Sequence, residues 1–419
     1  MLALETVLCV LALFWLPRRL PRRVSRWWMP WLFALALWLR LIALRFWPIE
    51  PQSDFLLYQD CARLFAQVPV SQWGSVHPGP YLEQEWPSLM PFVLYEGLLL
   101  RWFQGNPFGV QLMGALAQSG VCLLLWLAGD KLHNRGFLAG LWWAVLPSSV
   151  LFSSVLTNQF PALLFLWLAL VLMLEDRPIW AGAAGACLAV SQLLRPEAVV
   201  VLIAYSLCLI ARSLLHRRKA PGALLRLLCC AAVYAGVLAG VDRLLLNAGI
   251  VSRSILSGSL DYKLLVGSNA ETLGRWNPED AALYGSPALW QALIQRMNLP
   301  SLLPLWFGKL FLNLFDYYNP FLVPEGMPLL SARFGWLVGL IYLSLLPVTL
   351  KALGQCVRMV CRRKRFGFAH WLVFLCLLGY LAAYTLLETQ TRYLLILYPL
   401  LILTARGKNA PCLPDASGV

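Results

Sequence analysis

The chain has 419 residues, of which 60% are hydrophobic and only 13% are charged. Soluble globular chains carry about 25% charged residues, and the apolar residues here gather in long runs such as AGAAGACLAVSQLL and AVVVLIAYSLCLIA. A bilayer core about 30 Å thick takes roughly 20 apolar residues per helix, so composition excludes a soluble protein and predicts an all-α, polytopic helical membrane protein. The formal net charge of +14 is concentrated in PRRLPRRVSR (17–26), RSLLHRRK (212–219) and RMVCRRKR (358–365). Short cytoplasmic loops collect Lys and Arg. No basic region interleaved with aromatics accompanies the clusters, so nucleic acid is not an expected partner.

In chain order the apolar segments fall at 2–16, 27–47, 86–103, 107–128, 137–155, 160–174, 178–194, 197–214, 223–245, 329–350, 368–387 and 393–405, with a shorter one at 301–315. Residues 1–16 resemble a signal peptide only in being apolar. A signal peptide has its basic residues before the apolar core, and here the Arg cluster follows it, so an uncleaved first span with its N-terminus outside is expected. The chain reads as one integral-membrane domain, 1–419, with two hydrophilic stretches at 48–85 and 246–300. The second extends as a large loop region, 246–328, once the interfacial segment at 301–315 is included.

Placing the 17–26 cluster inside sends 27–47 outward and puts 48–85 on the external face. Working back from the cluster at 358–365, the 329–350 segment enters from outside and 246–300 is external too. EDR (175–177) and DKLHNR (130–135) fall inside. An odd number of crossings is then needed between residues 85 and 130, where two apolar segments stand. The 86–103 segment, with Pro87, Pro91, Glu96 and Arg101, is expected to lie in the outer interface as a juxtamembrane helix. With 301–315 also interfacial, about eleven helices cross, and the protein is expected in a cell (inner) membrane with its working face outside.

Eleven Cys are present, without a CxxC pair. Cys122, Cys187, Cys208 and Cys376 lie inside apolar runs and read as small buried hydrophobes. His77, His133, His216 and His370 are scattered without HExxH spacing, so no metal site is visible.

The first external stretch, FWPIEPQSDFLLYQDCARLF (46–65), places Asp54, Tyr58, Ala62 and Phe65 at i, i+4, i+8 and i+11, on one helical face. Ser53 or Asp54 can serve as an N-cap, and on periodicity alone Asp54 caps a surface helix while Tyr58 packs. Other external groups point further. The second loop contains YKLLVGSNAETLGRWNPEDAALYG (262–285), and external corners carry Arg195 and Glu197 in SQLLRPE and Glu388, Gln390 and Arg392 in LLETQTRY. External arginines gain nothing from the positive-inside rule, so Arg195 and Arg392 hint at an anionic partner. One carboxylate with external arginines fits a lipid-phosphate sugar donor. Phosphate leaves without a general acid, arginine neutralises it, and a single ionised Asp takes the acceptor's proton. A glycosidase needs two paired carboxylates.

The same residues resemble the GT-C glycosyltransferases, in particular the branch of protein O-mannosyltransferases and lipid A aminoarabinose transferases. PIEPQSDFLLYQDCARLF is similar to that branch's first external loop, LLRPEAVVVL to its Arg-Pro segment, ETQTRYLLILYPLLIL to its late Arg-Tyr motif, and GSNAETLGRWNPED to a loop of some bacterial members. The resemblance covers most of the chain in order. It implies an inverting transferase that uses an undecaprenyl-phosphate-type sugar donor and a glycan, lipid or protein acceptor. No cofactor is required, and a divalent metal is admissible but not indicated. Asp54 takes the position of the catalytic base. Arg392, followed by Tyr393, takes that of the late arginine beside the donor, and Arg195 is a second phosphate candidate. Tyr58, His77, Glu83 and Glu85 are expected to line the acceptor or sugar pocket, with Glu388 nearby. Asn269 and Arg275 are expected on a loop that closes over it. Two departures stand out. The turn SSVLTNQF (153–160) has Asn158 and Gln159 where members often carry a second acid, and Phe55 follows Asp54 in place of the frequent Glu.

Two other functions remain open from the sequence. A transporter or flippase would carry charge at mid-membrane depth. Arg40 and Arg45 come nearest, but no inverted repeat relates the halves. A polysaccharide polymerase or ligase shares the lipid-linked donor and relies on arginines instead of one Asp.

Overall fold

The computed structural model describes residues 24–133, 136–216, 220–258, 260–323, 332–361 and 367–405. The first expected span, 2–16, and most of the 17–26 cluster lie outside them. Among the described residues there are helices and no strands. We number the α-helices α1 Met29–Phe46, α2 Asp54–Gln67, α3 Met90–Trp102, α4 Phe108–His133, α5 Gly136–Val145, α6 Pro147–Leu151, α7 Gln159–Met173, α8 Pro178–Leu194, α9 Val199–Leu215, α10 Ala220–Asn247, α11 Leu260–Gly267, α12 Pro278–Ala282, α13 Ala288–Arg296, α14 Leu299–Phe315, α15 Ala332–Cys361, α16 Phe368–Leu386 and α17 Leu397–Ala405.

Among the described residues five helices are long and apolar enough to cross a membrane: Arg26–Phe46, Phe108–Leu132, Ala220–Asn247, Gly335–Cys361 and Phe368–Leu386. The run expected as one span at 137–155 is two pieces, Gly136–Val145 and Pro147–Ser154, bent by 55°. The cause is Pro147, which holds Leu146 in an extended conformation (ψ 116°) and ends α5. Four shorter apolar helices, Gln159–Met173, Pro178–Leu194, Val199–Leu215 and Thr391–Ala405, complete the bundle. Bulky indoles fill its interior, with Trp126, Trp142, Trp143 and Trp167 fully buried, while Trp27, Trp31, Leu207 and Leu214 point outward. Small residues let helices close up. A Cβ on Gly185 of α8 would stand 2.3 Å from the Cys230 carbonyl oxygen of α10.

Arg40 lies in the middle of α1 and is fully buried. Its guanidinium donates to the Ala144 and Trp143 carbonyls (3.2 and 3.3 Å), to Ser149 Oγ (2.8 Å), to Gln118 Oε1 (3.1 Å) and to its own helix at Ala36 (2.9 Å). A helix end leaves carbonyls without intrahelical donors, and inside a membrane these must be satisfied within the protein. Arg40 serves the broken end of α5, which gives its mid-membrane charge a structural role. Arg45 is exposed at the end of α1.

The two hydrophilic stretches lie against each other. Ser252 Oγ donates to the Glu83 carbonyl (3.1 Å), Tyr284 Oη to the Glu85 carbonyl (2.8 Å), and Gly74 abuts the Ala248 carbonyl. Trp86 stacks on Tyr284 and meets Tyr262 edge-on. The 86–103 segment forms a 3-10 turn and then α3, 13 residues packed on α2. At 1.5 Å per residue α3 is about 20 Å long, short of a bilayer core. Helix α14 carries Pro304 in its interior and packs on α16.

Candidate active site

Helix α2 begins at Asp54. The residue before it, Ser53, has φ 53° and makes no side-chain cap to the helix. Ser53 thus occupies the expected N-cap position without a capping hydrogen bond, and Asp54 is the first helical residue. A non-glycine residue held at positive φ costs on the order of 1–3 kcal/mol. Here it turns the chain sharply so that the first residue of α2 faces the bundle. Tyr58, Ala62 and Phe65 continue that face and are buried, as is Phe55. Tyr58 thus packs, edge-on to Phe92, while Asp54 at the end of the stripe keeps 36% of its side chain exposed.

The partner of Asp54 comes from 338 residues away. Arg392 Nη2 donates to Asp54 Oδ2 at 2.7 Å, and Ser53 Oγ lies 3.4 Å from Oδ1. Arg392 sits in the 3-10 turn Thr391–Ile396 that leads into α17. Its guanidinium carbon is 5.0 Å from the Phe55 and Phe321 ring centres and 5.5 Å from that of Tyr393. The side chain is 6% exposed, and its Nε and Nη1 are buried without a hydrogen-bond partner. A buried charged donor left unpaired is costly. An anion reaching these nitrogens would satisfy them.

A second arginine also lies against Tyr393. Arg195, at the C-terminal end of α8, lies 5.0 Å from the Tyr393 ring centre. It pairs with Glu197 at 2.6 Å and donates to Asn158 Oδ1 at 3.3 Å. Asn158 in turn donates to the Leu194 carbonyl at 3.1 Å. The turn that lacks a second acid thus supplies an amide that holds Arg195. A small cavity opens here, lined by Gln159, Ser191, Arg195, Glu197 and Tyr393 together with aliphatic side chains of α7 and the Leu395–Ile396 turn.

Two phenols border the pair. Burial, reinforced by the Asp54 charge, holds the Tyr58 hydroxyl above its ordinary range. Burial and the neighbouring Tyr58 do the same for Tyr81, which hydrogen-bonds with Tyr58. Both stay protonated, uncharged hydroxyl groups beside the carboxylate.

The remaining expected residues are distributed as follows. Glu388 is 2% exposed and forms an ion pair with Lys263 of α11, whose ammonium lies 4.9 Å over Trp86. Burial opposes the Lys263 charge, but Tyr393 and Glu388 outweigh it and hold its pKa above the ordinary value. This pair ties the second loop to the residues just before Arg392, and Thr389 N adds a bond to the Gly274 carbonyl at 2.8 Å. Asn269 is occupied within its own loop. It accepts from the backbone N–H of Glu271 and Thr272 and donates to Asp280 at 2.9 Å. Arg275 is half exposed and pairs with Asp316 at 3.0 Å. Both residues shape the loop and are committed to partners within it. His77 is 82% exposed and 3.5 Å from Glu83, at the outer surface of the first stretch. Glu85 contributes its carbonyl to the contact with Tyr284.

Sequence reasoning passed over Tyr81, Lys263 and Phe321, and it named Gln159 and Glu197 without giving them a place in the site. Glu197 had a usable signal, since it follows Arg195 by two residues around a proline. Phe321, which walls Arg392, had none. Among the described residues no three His, Cys, Asp or Glu side chains gather where a metal ion could bind.

No family model matches the sequence, and no curated protein matches it. Among solved structures, the oligosaccharyltransferase of Archaeoglobus fulgidus, crystallised with a tethered acceptor peptide containing the NVT sequon, superposes with a TM-score of 0.53. The match covers 91% of this chain at 13% identity. The chain shares the fold of that protein's matched region. It spans about half the length of that protein, 49%, and at this identity the likeness is one of fold. Within this fold, the loop after the first described span, the arginine before the last described helix and the second hydrophilic loop meet in one place.

Proposed function

We propose that the chain is an inverting glycosyltransferase that moves a single sugar from a polyprenyl-phosphate carrier to an acceptor hydroxyl at the external face of a bacterial inner membrane. The observation that carries this reading is the Asp54–Arg392 pair, with two further N–H groups of Arg392 buried and unpartnered. A phosphate oxygen at those donors would place the sugar's C1 beside the Asp54 carboxylate. The acceptor oxygen then attacks C1 from the side opposite the phosphate and Asp54 takes its proton. The C1–O bond breaks with its electron pair going to the phosphate, whose charge Arg392 and Arg195 stabilise. Tyr58, held neutral, is a hydrogen-bond donor available to the reacting oxygens, with Tyr81 hydrogen-bonded to it. The chain's own groups supply base and anion stabilisation; a divalent metal is not called for by this set of residues.

The external position is supported by the distribution of basic residues, which puts both hydrophilic stretches on one face, and by the contacts between those stretches. The protein O-mannosyltransferase and aminoarabinose transferase branch is favoured by the Asp-to-Tyr spacing and the Arg-Tyr motif. The acceptor is a glycan, a lipid or a protein.

The test uses the purified protein in proteoliposomes with labelled undecaprenyl-phosphate monosaccharides and a panel of acceptors. Release of free undecaprenyl phosphate that requires an acceptor is the expected result. Label that crosses the bilayer while still attached to its carrier would show a flippase instead, and growth of long polymers would show a polymerase.

A further inference from the structure

One lysine of α14 joins the ends of two other helices. Lys309 is fully buried. Its ammonium donates to the Gly267 carbonyl at 2.9 Å and to the Leu387 carbonyl at 2.6 Å. Gly267 closes α11, and Leu387 is the C-cap of α16. The last carbonyls of a helix have no intrahelical donors, and the negative end of the helix dipole favours a cation. One charge thus serves two helix ends. Two glycines make the close approach possible. A Cβ on Gly267 would stand 2.3 Å from the Leu386 carbonyl oxygen, and one on Gly274, whose φ is +72°, would stand 2.6 Å from Lys309 Nζ. Burial draws the Lys309 pKa down to about 8, with Glu388 opposing the fall, so the ammonium keeps its proton at neutral pH.

The backbone from Leu387 to Gln390 is not helical and is tied to the second loop. The Glu388 N–H donates to the Lys263 carbonyl at 3.0 Å, and the Thr389 N–H donates to the Gly274 carbonyl at 2.8 Å. Lys309 holds the residue just before these two and, at Gly267, the loop that receives them. The 3-10 turn that carries Arg392 begins at Thr391, directly after this segment. Both printed bonds of Lys309 go to backbone, so it reaches Arg392 through the segment and not through a side-chain contact.

Resting on the glycosyltransferase reading above, we propose that Lys309 is a positioning residue: by bonding the Gly267 and Leu387 carbonyls it locks the second loop to the segment that carries Arg392, and so fixes the Arg392 guanidinium on Asp54 for the transfer step. Methionine has a side chain of similar length with no donor, so Lys309→Met removes the lock and leaves Asp54 and Arg392 in the chain.

The test compares wild type, Lys309→Met, Arg392→Lys and the double variant, each as the full chain in nanodiscs, by amide hydrogen exchange and by the transfer assay. Peptides spanning 263–274 and 388–392 should exchange about tenfold faster or more in Lys309→Met, with those of α7 and α8 unchanged. Its kcat per folded molecule should fall about tenfold or more, since a small misplacement of a reacting group is costly. Added to Arg392→Lys, it should cost less than about threefold further, because residues that act through one another are not additive. A lysine that only stabilises the loop would lower Tm, and its loss would multiply with that of Arg392→Lys. Should Lys309→Met fail to fold, Lys309→Gln, whose amide nitrogen stops one bond short of the ammonium position, decides by the same readings. Wild-type exchange over 388–392 in the folded variant, wild-type kcat, or losses that multiply would overturn the proposal and leave the glycosyltransferase reading standing. A wild type without transfer activity would instead remove that reading, and exchange would still decide whether Lys309 holds the Arg392 segment.

Discussion

Glu96 lies on α3 against α2. Its side chain is 1% exposed and its Oε1 has no hydrogen-bond partner. Burial raises its pKa from 4.5 to about 8, with Arg63 opposing and Asp60 adding to the rise. A carboxyl whose folded pKa exceeds its unfolded one favours the fold most below the unfolded value. That advantage is lost as pH rises toward 8. Between pH 5 and pH 8 the loss spans about 3 pH units, or about 4 kcal/mol at 1.36 kcal/mol per unit. Glutamine has the same shape and no charge, so Glu96→Gln should lose none of it. A thermal ramp read by a thiol-reactive fluorophore suits this protein, since Cys61, Cys122, Cys208, Cys230 and Cys376 are buried and unbridged. Wild-type Tm should fall by about 5 °C from pH 5 to pH 8 beyond any fall in Glu96→Gln, by the usual scaling of Tm with stability in large domains. Parallel Tm-against-pH curves for the two proteins would refute the assignment of Glu96 as a buried neutral acid and the packing of α3 on α2 drawn from it.

Three further outcomes follow from the same coordinates. Arg392→Lys keeps the charge but removes the fork of donors, and should lower kcat/KM for sugar transfer about 10²–10³-fold, the usual consequence of removing one preorganised donor to developing negative charge. Arg40→Leu strands the α5 carbonyls and should cost about 3 kcal/mol, seen as a lower Tm, while a folded fraction retains transfer activity. Asn106→Cys should react with a membrane-impermeant maleimide from outside the cell, because α3 is too short to carry residue 106 across; labelling only from the cytoplasmic side would show that the 86–103 segment crosses.

Much of the bundle was legible because bilayer solvation imposes long apolar runs, and the apolar segments were placed close to their observed positions. The break at Leu146–Pro147 was hidden because both halves are apolar, and only Arg40's bonds to the freed carbonyls reveal what makes the break tolerable. At the site, helical spacing put Asp54 and Tyr58 on one face correctly, yet spacing is silent about whether a face meets lipid, core or substrate. The Asp54–Arg392 pair joins residues separated by nearly the whole chain, and only the fold brings them together. Asn269 illustrates the opposite limit. A Gly- and Asn-rich loop reads the same whether its amide faces a ligand or, as here, caps its own turn and holds Asp280. Lys263 was invisible for a related reason, since a lysine in a polar loop gives no sign that it will bridge to a buried Glu388.

The central claim is that Asp54 is the base of a glycosyl transfer. It is tested most directly by measuring, side by side in proteoliposomes, acceptor-dependent release of undecaprenyl phosphate and binding of undecaprenyl phosphate by wild type and Asp54→Asn. The account predicts that the asparagine variant loses transfer by about 10³-fold or more, as expected for removal of a positioned general base, while binding the carrier within a few-fold of wild type. An Asp54→Asn protein that transfers sugar at the wild-type rate would contradict it.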